Sequence, residues 1–152
     1  TVGAAMEAYL FGIPAMAVSQ INKGWEHLSA AAQTVQNMVQ KMMVGALLDQ
    51  QHWLLNVNIP NLPFEQIKPP IVCRLGRRHA AEPVITQVDP RGQTMYWIGN
   101  AGPAMDDSEG PDFHSAQLGH VVVTPLKVDL SDHDNLSSWS QSCKDIFHRT
   151  SA

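Results

Sequence analysis

The sequence predicts an α/β fold, with a sheet covered by helices, an appended β-hairpin region and a C-terminal helix. Three observations carry this prediction. A helix-period segment, a glycine and a short continuous apolar run follow one another over residues 2–18. That succession is the pattern of a buried, parallel sheet. A broad apolar stripe of helical period over 26–44 precedes a short alternating segment. An Asp-Pro-Arg-Gly turn at 89–92 joins two extended segments.

Val2, Ala5, Met6, Tyr9 and Leu10 recur at three- and four-residue steps and predict a helix over 2–11. Gly12 is its stop signal. The run Ile13 to Val18 reads as a buried strand with Pro14 at its entry. Leu28, Ala31, Ala32, Val35, Met38, Val39, Met42 and Met43 form one face of a helix over 26–44, ended by Gly45. Leu55, Val57 and Ile59 alternate with Asn56 and Asn58, which predicts a strand with one polar face. Pro60 and Pro63 end it. Residues 71–75 form a further strand candidate. Residues 84–88 and 94–98 flank the turn and read as a hairpin. Residues 99–112 read as a loop rich in Gly, Pro and acids. Asp112 is placed to cap a short helix over 113–118, residues 121–130 read as extended, and Asp132 is placed to cap a last helix over 134–147.

Of the 152 residues, 44% are hydrophobic, enough for a core. A net charge of −4 without a basic patch argues against nucleic-acid partners. No run of about 18 apolar residues is present, so no membrane-spanning helix is expected. No signal-peptide pattern is visible, and the chain opens on Thr1 with residues that read as the middle of a fold, so an upstream part is expected. Cys73 and Cys143 stand far apart outside any C-x-x-C pair, which suits free thiols in a reducing cytoplasm.

Few residues carry recognisable chemistry. Thr1-Val2-Gly3-Ala4-Ala5 places small residues at a helix start, where free N–H groups and a positive partial charge receive anions. The same smallness also serves packing on a sheet. Asp106-Asp107 suits Mg²⁺ or Mn²⁺ but reads as a solvated acidic loop. Arg77-Arg78-His79 suits a phosphate, or acids across an interface. Asp129 and His133 are spaced to pair, which reads as structural. None of His27, His52, His79, His114, His120, His133 and His148 stands in a metal-binding motif. No Walker loop, G-x-S-x-G or catalytic Cys–His signature occurs.

Longer runs resemble the SurE family of 5′/3′-nucleotidases. Thr1 to Glu7 resembles the family's S-G-T-V-x-A-A-M-E-G. Leu54-Leu55-Asn56-Val57-Asn58-Ile59-Pro60, Leu62-Pro63, Ile67-Lys68 and Arg74-Leu75-Gly76-Arg77-Arg78-His79 follow in order. Then come Asp89-Pro90-Arg91-Gly92, Tyr96-Trp97-Ile98-Gly99, Asp112-Phe113, Val123-Thr124-Pro125-Leu126 and Val128-Asp129-Leu130. Departures are Ala8 for a usual Gly, Cys73 for a common Thr, and Pro111 before Asp112.

The resemblance implies a Rossmann-like core whose C-terminal part is 1–75, a protruding β-hairpin and loop in 76–112, and a C-terminal strand and helix segment in 113–152 that exchanges between subunits. It implies hydrolysis of nucleoside monophosphates to nucleoside and phosphate, with one divalent cation (Mn²⁺ or Mg²⁺) per active site, by a cytoplasmic homodimer or homotetramer. The family's metal ligands are an Asn-Asp-Asp-Gly stretch, a later Ser and an Asn before S-G-T. They are expected upstream, so no metal ligand and no catalytic residue is assigned here. Carried over as phosphate-binding groups are Thr1, the last residue of S-G-T, with Val2 and Gly3 at the helix start. The alternatives are a catalytically incompetent fragment that serves only assembly, and an anion binder without chemistry.

Overall fold

The computed structural model describes residues 1–21, 26–44, 52–103, 105 and 110–147. Among them, in chain order, are α1 (Val2–Leu10), β1 (Ala15–Gln20), α2 (Leu28–Val44), β2 (Leu54–Ile59), β3 (Lys68–Val72), β4 (Ile85–Val88), β5 (Thr94–Trp97), α3 (Asp112–Gln117), β6 (His120–Pro125) and α4 (Leu136–Phe147). The main sheet has the order β1-β2-β6-β3. β1 and β2 are parallel, β6 runs against β2, and β3 is parallel to β6. The sheet is therefore mixed, with β6 in its interior.

Strand alternation sorts the two faces. Ala15, Ala17 and Leu54 share one face and cluster with Ala5 of α1, with Val2, Met6 and Tyr9 packed around them. On the same face Val122 clusters with Ala116 of α3, Cys73 and Ile21. The opposite face carries Val57, Ile59 and Val121, which cluster with Ala31 of α2, beside Val35 and Met38. One layer thus holds α1 and α3, and the other holds α2.

α1 ends at a left-handed Gly12, φ 80°. Gly12 N–H donates to Tyr9 O (2.9 Å) and Ile13 N–H to Ala8 O (3.1 Å), a Schellman closure that satisfies two end carbonyls. The chain then reverses directly into β1. The strand begins at Ala15 rather than Ile13, because Ile13 and Pro14 are used by the turn.

The strand with one polar face appears as β2, an inner strand in which Asn56 and Asn58 share a face and Asn56 is buried. Other expectations are corrected. The third strand covers Lys68–Val72, not 71–75, and contains Pro69 and Pro70. It is an edge strand whose register shifts between Lys68 and Ile71, where missing N–H groups are tolerated. Asp112 is the first residue of α3 and makes no cap; its Oδ1 accepts the Gly76 N–H at 2.9 Å instead. Asp132 precedes a 3₁₀ turn, His133–Asn135, without a side-chain cap; its Oδ2 accepts from the Asn135 amide at 2.8 Å.

The hairpin follows the turn chemistry. The Asp89 carboxylate accepts from Arg91 N–H (2.9 Å) and Gln93 N–H (2.8 Å), and Gly92 takes φ 83°. β4 pairs with β5. Their side chains are exposed, including Ile85, Val88, Tyr96 and Trp97, as are Leu136, Trp139 and Ile146 of α4.

Candidate functional site

In α/β sheets, ligands collect beyond the carboxyl ends of the strands. The Schellman reversal makes α1 antiparallel to β1, and the Tyr9 ring meets His52, just before β2, edge-on at 6.2 Å. The C-terminus of α1 thus sits at the entry of β2, and its N-terminus sits at the carboxyl ends of β1 and β2. Thr1 occupies the N-cap position and makes no side-chain capping bond. Thr1 and Gly3 are exposed and Val2 is half-buried. The first N–H groups of α1 have no partner within the helix. A Cβ on Gly3 would meet nothing within 4 Å, so the helix start is open to a ligand. The three residues named from the sequence lie together at the start of α1.

Arg77-Arg78-His79 is part of a laced loop. His79 N–H donates to Pro103 O (2.9 Å) and Met105 N–H to Arg77 O (2.8 Å). The Arg78 guanidinium donates to Gly102 O (3.1 Å) and lies 4.4 Å from the Phe113 ring centroid. Phe113 in turn abuts Gly76: a Cβ there would lie 2.5 Å from the ring. Asp112, 6% exposed, is anchored by the Gly76 N–H. Arg78, Asp112 and Phe113, with Ile21, Asn58, Ala116 and Gln117, line a cavity of about 360 Å³. Sequence reasoning missed it, since the Asp112 carboxylate was read as a cap. The available signal was the paired recurrence of Gly76 and Asp112-Phe113 within the family-like runs.

Replacing Asp112 by Leu is expected to lower stability by about 1–3 kcal/mol, because the Gly76 N–H loses its acceptor in a buried place. Asp112→Asn keeps an amide oxygen there and costs less. Urea unfolding of both variants checks this, and equal midpoints would contradict it.

Asp106-Asp107 and His148 lie outside the described residues. Among the described residues, no three His, Cys, Asp or Glu side chains converge as metal ligands. The described residues therefore do not by themselves form a divalent cation site. The Cys73 thiol is buried and donates to Ser115 Oγ (3.3 Å), while Cys143 is exposed. No described helix is long and apolar enough to cross a membrane.

Asp129 Oδ2 and His133 Nε2 lie 2.7 Å apart on the surface. Hydrogen bonds from the Ser131 hydroxyl and N–H, then from His133, hold the Asp129 carboxyl down from 3.8 to about 2. A lowered folded-state value adds stability above pH 3.8, which is lost as pH falls through about 2. Ser131→Ala is expected to raise the Asp129 value more than His133→Ala does. Carboxyl NMR titration checks this, and the reverse order would contradict it.

The sequence profile of the family described as survival protein SurE matches residues 1–82. The chain belongs to the SurE family. It is 62% identical over 142 residues to the 5′-nucleotidase SurE of Albidiferax ferrireducens, covering 93% of this chain and 56% of that protein. Against the 5′-nucleotidase SurE of Variovorax paradoxus the identity is 59%, with the same coverages. The crystal structure of the SurE protein from Aquifex aeolicus superposes with a TM-score of 0.71 at 34% identity, over 93% of this chain and 56% of that one. The fold is thus the Rossmann-like SurE fold, and the chain spans little more than half the length of these SurE relatives.

Proposed function

We propose that the chain forms part of a metal-dependent 5′/3′-nucleotidase that hydrolyses nucleoside monophosphates to nucleoside and phosphate. The observation that carries this reading is the placement of Thr1, Val2 and Gly3. The family-like run Thr1 to Glu7 forms the first part of α1, at the carboxyl ends of β1 and β2. Relatives named 5′-nucleotidase SurE support the same reading.

In this reading the Val2 and Gly3 N–H groups and the Thr1 hydroxyl donate to the phosphate oxygens. They stabilise the charge that grows there in the transition state. A divalent cation, Mn²⁺ or Mg²⁺, supplies Lewis acidity when bound. Its ligands are expected in the part of the relatives that this chain does not span, so no metal-binding role is assigned to residues described here. The test is phosphate release from AMP and GMP by the intact protein supplied with Mn²⁺. Release is expected in both cases, and none in either would contradict the proposal.

The exposed apolar hairpin and α4 favour an assembly role alongside the chemistry. We place the protein in the cytoplasm as a homodimer or homotetramer, with residues 76–112 protruding from the core of 1–75 and residues 113–152 exchanged between subunits. Deleting the hairpin tip between Ile85 and Trp97 is expected to lower the oligomeric mass in solution. An unchanged mass by light scattering would contradict that role.

A further inference from the structure

We infer that the cavity between β2 and α3 receives the nucleoside part of the substrate, an inference that rests on the nucleotidase reading. Its place is the first argument. Asn58 pairs with Ser19 of β1 and Val122 of β6, so it stands at the carboxyl end of β2 on the face that carries α1 and α3. The N-terminus of α1 lies at that same end and on that same face. The cavity and the start of α1 thus share one face and one end of the sheet, where the two parts of one nucleotide can be received.

The chemistry of the walls is the second argument. Asp112 and Arg78 contribute one negative and one positive charge, so the cavity balances without a charged ligand. A phosphate gains little there, whereas a neutral polar group does. Asp112 is buried, and the Gly76 N–H takes one lone pair of its Oδ1, so the carboxylate has further acceptor capacity for ribose hydroxyls. Asn58 and Gln117 each offer a carboxamide, able to donate and accept along a base edge. The Arg78 guanidinium lies over the Phe113 ring, 4.4 Å from its centroid, and is tethered to Gly102 O; a guanidinium is a planar group on which an aromatic base can stack. Ile21 and Ala116 complete an apolar side. A volume of about 360 Å³ is at the small end of ligand sites and suits a nucleoside.

The third argument is rigidity. Gly76 has no room for a side chain against Phe113 and Asp112, and its N–H fixes the carboxylate. The acceptor is therefore set before a ligand arrives, which lowers the cost of ordering on binding.

The experiment uses the intact protein with Mn²⁺ and compares AMP, 2′-deoxy-AMP and phenyl phosphate. Gln117 is an exposed residue at the end of α3, so Gln117→Ala leaves the fold in place. It is expected to lower the kcat/KM ratio of AMP over phenyl phosphate about fivefold, mainly through KM for AMP. Asp112→Asn is expected to shrink the preference for AMP over 2′-deoxy-AMP by a similar factor. Unchanged ratios in both variants would overturn the inference while leaving the hydrolase reading intact. If the wild type hydrolyses neither AMP nor phenyl phosphate, the nucleotidase reading fails, and adenosine titration followed by NMR then decides the subsite. Shifts at Gln117 and Phe113 support it, and their absence overturns it.

Discussion

Replacing Ile59 by alanine is expected to lower stability by about 2–5 kcal/mol, through lost burial and the cavity left behind. Ile59 is fully buried at the end of an inner strand. Its side chain joins Val57, Val121 and Ala31 where α2 crosses the sheet, with Val35 and Met38 packed alongside. Backbone hydrogen bonding holds the site open, since Ile59 O accepts the Ile21 N–H at 2.9 Å and β2 is paired on both edges. The sheet therefore has little freedom to collapse into the void. Against a typical total of about 5–15 kcal/mol, this change takes a large share. Val44→Ala, at a position 91% exposed, is the control and is expected to stay within about 0.5 kcal/mol. Urea unfolding of the intact protein measures both, and a loss below about 1 kcal/mol at Ile59 would show that the α2 face is not a core.

Thr1→Val is expected to reduce kcat for nucleoside monophosphates by about 10²–10³, the usual loss when one donor to a developing oxyanion is removed. Valine is close to threonine in shape, and Thr1 makes no capping bond that the fold would miss. Stability is therefore expected to change little. That separation makes the variant informative: lost turnover with an unchanged unfolding midpoint assigns the hydroxyl to the chemistry. Wild-type turnover would remove Thr1 from the site. A parallel loss of turnover and stability would instead mark a structural role.

Much of this fold is legible in the sequence because local chemistry and burial agree there. The α1 stripe ending at Gly12 and the Asp89–Gly92 turn both have a local cause, and both appear where expected. The edge strand does not follow that logic. Pro69 and Pro70 speak against a strand, and only their position at the sheet edge makes one tolerable. The burial of Asn56 in β2 is hidden for a similar reason. Alternation reports polarity, but a second helical layer buries Asn56, and no local pattern announces that layer.

The site divides in the same way. Thr1, Val2 and Gly3 could be named as candidates because a helix start with small residues has a local signature. The cavity was not anticipated because Asn58, Arg78 and Asp112 come from three separated segments. Asp112 even carries a competing local explanation, as a cap, which the Gly76 N–H overrides. A carboxylate anchored across about forty residues leaves no local signature in a single sequence.

In the proposed function the N-terminus of α1 is the phosphate cradle. Following the Val2 and Gly3 amide resonances of the intact protein during titration with inorganic phosphate tests this directly. Saturable shifts at those two amides that compete with AMP are expected. Shifts elsewhere, with Val2 and Gly3 unmoved, would contradict it.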